Sequence, residues 1–219
     1  MKRILCYGDS NTWGYDPITL NRFDQDTRWT RVLGKALGGD YEIIEEGLNG
    51  RTTVWEDPIE GYKNGMTYLI PCLETHRPLD LVTLMLGTND LKKRFNLSAF
   101  DIAEGVRVLV NIIQKSNAGI NGHAPQLLLM APPPTTTLTD YTEMFEGAGE
   151  RSIKFSKYYE RVAHEMGCAF LDTSKVIVSS PLDGIHFESG EHQKLGHAVA
   201  IKVKEVCEAP TAKPIRKKT

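Results

Sequence analysis

Short apolar runs recur along this chain, each ending in Gly, Asn or Pro, and they restrict the fold more than any other feature. Ile4–Tyr7 closes on Gly8-Asp9-Ser10, Leu79–Leu86 (LDLVTLML) on Gly87, and Gln126–Ala131 (QLLLMA) on Pro132, while Tyr41–Glu45 and Cys168–Leu171 give two weaker strand patterns. Between them the apolar period changes to that of a helix. Trp29, Val32, Leu33, Ala36 and Leu37 share one face before a Gly38-Gly39 stop, and Ile102, Val106, Leu109, Val110 and Ile113 share one face of a stretch from Ser98 to Lys115. Strands that are apolar throughout and alternate with helices predict an α/β fold, a parallel sheet covered on both faces. In such sheets ligands bind beyond the carboxyl ends of the strands, so the chemistry is expected just after each apolar run.

The charge balance narrows the partners. The chain has 219 residues, with 26 Lys and Arg against 28 Asp and Glu for a net charge of −2, which argues against nucleic acid or a membrane surface as partner. Cys6, Cys72, Cys168 and Cys207 form no C-x-x-C pair and read as reduced thiols. Met1-Lys2-Arg3 is followed by too short an apolar run for an export signal, and a cytoplasmic location is expected. One domain is expected over residues 1–208, followed by a flexible basic tail over 209–219 with Lys213, Arg216, Lys217 and Lys218.

Four polar blocks follow the strands: Gly8-Asp9-Ser10-Asn11, Gly47-Leu48-Asn49-Gly50-Arg51-Thr52-Thr53, Gly87-Thr88-Asn89-Asp90 and, near the C-terminus, Asp183-Gly184-Ile185-His186. Taken singly, Ser10 reads as a turn serine, Gly50 as a turn glycine, Asn89 as a helix cap, Asp183 as a turn former and His186 as a surface imidazole. Together and in this order, the blocks resemble those of the SGNH (GDSL-type) hydrolase superfamily, from Ile4 to about Val206. The segments KRILCYGDS, IIEEGLNGRTT, LDLVTLMLGTND and LDGIHF are similar to its bacterial arylesterase/acyltransferase subgroup. Asn11 stands where the superfamily pattern has Leu.

The resemblance implies a three-layer α/β/α sandwich around a five-stranded parallel, flavodoxin-like sheet, and an esterase for small acyl or aryl esters that needs no cofactor. It implies Ser10 as nucleophile, His186 as its base and Asp183 as the acceptor that holds the imidazole tautomer, since a serine hydroxyl attacks only when a base takes its proton. The oxyanion donors implied are the backbone N–H groups of Ser10 and Gly50 and the side-chain amide of Asn89. Asp9 and Asp90 are expected to organise turns by accepting backbone N–H groups. The subgroup is generally oligomeric, so a homo-oligomer is expected too, and acyl transfer to alcohols or perhydrolysis could accompany hydrolysis.

His186, His192 and His197 are spaced by six and five, so no metal is expected, and His192 and His197 read as solvated helix residues. The long loops Thr12–Asp26, Val54–Gly65 and Pro132–Gly149 carry Trp13, Tyr15, Trp55, Tyr141, Met144 and Phe145, which suit an apolar mouth for the substrate. Trp13 and Ile185 are the pocket candidates. A carbohydrate deacetylase, a thioesterase or lysophospholipase on the same triad, and a non-catalytic flavodoxin-like binding domain remain as alternatives.

Overall fold

The computed structural model describes residues 1–208, so the expected tail over 209–219 lies outside the described residues. Five strands, β1 (Lys2–Gly8), β2 (Tyr41–Gly47), β3 (Leu81–Met85), β4 (Gln126–Ala131) and β5 (Ala169–Asp172), form one parallel sheet in the order β2-β1-β3-β4-β5. This is the flavodoxin order, in which the connections change direction between β1 and β3 and open a crevice at their carboxyl ends.

Among the described residues seven α-helices accompany the sheet: α1 (Ser10–Trp13), α2 (Trp29–Leu37), α3 (Gly65–His76), α4 (Ala99–Lys115), α5 (Ala148–Ser152), α6 (Phe155–Met166) and α7 (Ser189–Glu208). Strand side chains alternate between faces. Leu5, Tyr7, Val82, Leu84, Leu127 and Leu129 pack with α3, α4 and α6; Ile4, Cys6, Leu81, Met85, Leu128 and Met130 pack with α2 and α7. All these side chains are buried, which is why the central strands read as unbroken apolar runs.

Local signals place the helix ends. Ser98 accepts the Asp101 N–H while Asp101 reaches back to the Ser98 N–H, a reciprocal cap at the start of α4. Helix α2 stops at Gly38, with φ of 87°. The sequence pattern left α3 and α6 unassigned. In α3 an internal Pro71 obscures the period, yet the helix holds because Pro71 is exposed, Asn64 caps the first turn, and Leu69, Cys72 and Leu73 are buried.

His197 is exposed as expected, but His192 is not. It has 0% exposure, accepts the Trp29 N–H at Nδ1 (3.3 Å) and packs between Phe23 and Phe187. The reason is its face: His192, Leu195 and Val199 stack on the side of α7 that meets α2.

Burial pushes the imidazole of His192 from 6.5 down to about 3, so it stays neutral in the fold. The unfolded chain takes up this proton below pH 6.5, and stability present above that pH is lost as pH falls toward 3. In urea unfolding, His192→Asn, which keeps an acceptor for Trp29, should therefore lose about 2 kcal/mol less stability than the native chain between pH 7 and pH 5. An unchanged difference would show that His192 is protonated in the fold.

Candidate active site

The site is built where β1 and β2 end. Gly8 and Gly47 are paired across the two strands, and α1 lies directly on them. A Cβ on Gly8 would fall 2.1 Å from Thr12 Oγ1, and one on Gly47 would fall 2.1 Å from the Trp13 nitrogen. Only glycine permits this approach, which sets Ser10 at the head of a four-residue helix capped by Asp9, whose carboxylate accepts the Asn11 N–H (3.0 Å).

The loop before α7 brings in the rest. His186 Nε2 lies 2.9 Å from Ser10 Oγ, and His186 Nδ1 lies 2.6 Å from Asp183 Oδ2. Asp183 Oδ1 accepts the N–H groups of Ile185 (2.8 Å) and His186 (2.9 Å), so three residues of one loop fix the ring. Burial raises the Asp183 carboxyl, but the imidazole and these two N–H groups more than offset it and hold it below the usual carboxylate range. A carboxylate there fixes the Nδ1–H tautomer and leaves Nε2 to accept the Ser10 proton.

This loop is stitched to the one after β4. The Thr136 N–H donates to Gly184 O (2.9 Å), the Thr136 hydroxyl to Ser180 O (2.9 Å), the Ser179 hydroxyl to Pro134 O (3.0 Å) and the Thr139 hydroxyl to Leu182 O (2.8 Å).

The loops after β2 and β3 form the opposite wall. Asn89 donates one side-chain N–H to Arg51 O (3.1 Å), leaving the other for the cavity it lines. Asp90 accepts the Thr53 N–H (3.0 Å) and hydroxyl (2.5 Å), and Arg51 donates to Gly8 O (2.8 Å) beneath β1. Gly50, at φ 79°, faces the same cavity, and the Ser10 and Gly50 N–H groups donate to no acceptor among the described residues. Gly47 instead lies packed under α1. Asn89 begins a 3-10 turn and does not cap it. Asp9 and Asp90 do accept backbone N–H groups, and burial pushes both up to about 6, with Asp9 adding repulsion at Asp90.

The cavity beside Ser10 measures about 160 Å³. Tyr15, Tyr141, Met144, Phe145 and Ile185 make its apolar side, and Asn49, Glu60 and Lys92 a polar one. Ile185 is thus where the sequence put it, but Trp13 is not. The chain reverses at Gly14 (φ 90°), and Trp13 is held away under Arg22, which sits 5.3 Å over its ring and donates to its carbonyl (2.7 Å). Tyr15 takes that place, its ring 4.2 Å from that of His186. Lys92 went unnoticed, because a lysine after a strand reads as solvated; it is 2% exposed and paired with Glu60 and with Asp57 (3.3 Å). A larger depression of about 530 Å³ lies by Glu46, Arg51 and Tyr68 and includes neither Ser10 nor His186.

The chain is similar to solved structures with the same arrangement of elements. The aryl esterase of M. smegmatis is 42% identical, with a TM-score of 0.91 over 94% of this chain and 100% of that one. A carbohydrate acetylesterase from Sinorhizobium meliloti is 39% identical, with a TM-score of 0.90 over 93% and 98%. The lipase/acylhydrolase from Enterococcus faecalis shares the fold at 18% identity, with a TM-score of 0.65 over 93% and 96%. Among curated proteins, none matches the chain. The GDSL-like lipase/acylhydrolase family profile matches residues 6–193, a stretch that takes in every loop bordering the cavity. A match of that extent on this scaffold makes the chain a member of the GDSL-like lipase/acylhydrolase family and a carboxylic ester hydrolase.

Proposed function

We propose that the protein hydrolyses esters of short acyl groups through an acyl-enzyme on Ser10. The observation that carries the reading is the size of the cavity: about 160 Å³ beside the hydroxyl, closed on its apolar side by Tyr15, Tyr141, Met144, Phe145 and Ile185. Pockets for drug-sized ligands run from roughly 300 to 1,000 Å³. An acetyl or propionyl group fits this volume, and a long chain would have to extend out of it.

In the first half-reaction Ser10 Oγ bonds to the ester carbonyl carbon while its proton passes to His186 Nε2 and the π pair moves to the carbonyl oxygen. The N–H groups of Ser10 and Gly50 and the second side-chain N–H of Asn89 receive that oxyanion. As the carbonyl re-forms, the alcohol leaves with the proton from Nε2. A water then repeats the sequence on the acyl-enzyme, its proton going to Nε2 and on to Ser10 Oγ. An alcohol or hydrogen peroxide taking the place of water gives transfer or perhydrolysis, favoured where apolar walls limit water.

A second reading concerns the alcohol half. Asn49, Glu60 and Lys92 give the cavity a hydrogen-bonding side that suits the hydroxyls of an acetylated sugar, and one similar protein is a carbohydrate acetylesterase. Both readings share the small acyl group. Rates on acetylated sugars and on p-nitrophenyl acetate, compared in the native chain, separate them.

Ser10→Ala should lower kcat on p-nitrophenyl acetate by more than about 10,000-fold with the fold intact by circular dichroism. For Asn89→Ala the expected loss is roughly 100- to 1,000-fold in kcat with KM little changed, since its donor serves the transition state. Retained activity in Ser10→Ala would remove the acyl-enzyme reading. Across p-nitrophenyl acetate, butyrate and octanoate, kcat/KM should fall steadily, and a rise toward octanoate would overturn the small-acyl assignment.

A further inference from the structure

Helix α3 carries Cys72 and His76 one turn apart, four residues in sequence, on the side that meets the end of β2. From β2, Glu46 reaches toward them, its Oε1 2.9 Å from His76 Nε2. One ligand atom from each of Glu46, Cys72 and His76 lies within 4.8 Å of the other two, and no other such set occurs among the described residues. The Cys72 side chain is buried, and those of Glu46 and His76 are 18% and 25% exposed. None of the three lines the ester cavity.

We propose that Glu46, Cys72 and His76 form a binding site for a single Zn²⁺-class divalent ion, independent of the ester chemistry. A thiolate, an imidazole and a carboxylate are the ligand set that such an ion takes. With metal–ligand bonds of about 2.0 to 2.3 Å, tetrahedral ligand atoms stand roughly 3.5 Å apart. The hydrogen-bonded Glu46–His76 pair, now 2.9 Å apart, must open by roughly half an ångström while the wider spacings, up to 4.8 Å, close, both by side-chain rotation. Two of the three ligands come from one helical face, so that only Glu46 comes from the strand. Tyr68 stands one turn before Cys72 on the same helix and lines the adjoining depression together with Glu46.

The charges balance on uptake. Without metal the buried Cys72 thiol is protonated, because burial raises its pKa to about 12. Uptake forms the metal–sulfur bond and releases that proton to solvent, and thiolate and carboxylate then neutralise the dication. The Glu46 carboxylate raises the Cys72 pKa further, and only Arg51 acts against this. Its own charge is turned to other partners: the Gly8 and Glu46 carbonyls and the ring of Tyr7, 4.2 Å from the guanidinium. The 530 Å³ depression, lined by Glu46, Tyr68 and Pro71, opens on the cluster at Glu46. The bound ion would join edge strand β2 to α3 across 30 residues of chain.

The test is calorimetric titration of the untagged, metal-free chain with Zn²⁺ alone, together with Co²⁺ absorption. One equivalent of Zn²⁺ should bind, and Co²⁺ should give a thiolate-to-metal charge-transfer band. Cys72→Ser should abolish the band, and Cys72→Ser, His76→Gln and Glu46→Gln should each weaken Zn²⁺ binding by at least about tenfold. Circular dichroism and p-nitrophenyl acetate hydrolysis should stay near native in all three. If Cys72→Ser does not fold, the other two variants and the native Co²⁺ band decide the matter. Binding below one equivalent, absence of the thiolate band, or affinity unchanged in the folded variants would overturn the site. Each of these results is separate from the fate of the esterase reading, which rests on Ser10.

Discussion

The active centre rests on the contact between α1 and the ends of β1 and β2. Gly8 and Gly47 face each other across the strand pair; the Thr12 side chain occupies the space a side chain on Gly8 would need, and the backbone of Thr12 and Trp13 the space one on Gly47 would need. Burying backbone this closely is favourable only when its polar groups find partners. They do so locally: Asp9 accepts the Asn11 N–H and its carbonyl takes those of Thr12 and Trp13. A side chain on either glycine would lift α1 from the sheet and carry Ser10 with it, spoiling the 2.9 Å contact with His186 although neither of those two residues had changed.

Support for the oxyanion wall comes at a cost in stability. Asp9 and Asp90 are both buried, and desolvation pushes each up to about 6, with the charge of Asp9 adding repulsion at Asp90. What they provide is position. Asp90 ties the loop after β3 to the loop after β2 through Thr53, and Asn89 ties it again through Arg51. In the proposed mechanism, donors fixed in advance need no reorganisation when negative charge develops.

How much of this could be read from the sequence depended on whether the signal was local. The strands, α2 and α4 were legible because their burial is written in period and caps, and the four blocks because each is contiguous in sequence. The Asp183–His186 geometry is also local, three residues apart on one loop. Helix α3 was hidden by Pro71, whose position on the exposed side becomes apparent only in three dimensions. His192 was taken for a solvated residue because its burial depends on α2 arriving against α7. Trp13 and Tyr15, two residues apart, exchanged roles through a reversal at Gly14, and Lys92 entered the wall only because Asp57 and Glu60 come from a distant loop to pair with it. The Cys72–His76 pair carries no mark in the histidine spacing, and Glu46 joins it only in three dimensions, from β2.

The seam between the loop after β4 and the loop before α7 joins two properties that might have been separate. Four hydrogen bonds from Thr136, Thr139 and Ser179 fasten the segment leading to Tyr141, Met144 and Phe145 to the one that carries Asp183 and His186. These cavity-lining residues and His186 are therefore tied together, and a change that widens the cavity from that side also loosens the imidazole. Tyr15 on one flank, and Glu60 with Lys92 on the other, stand outside this seam. Evolution, or a protein engineer, has room for trading substrates on those two flanks without giving up turnover.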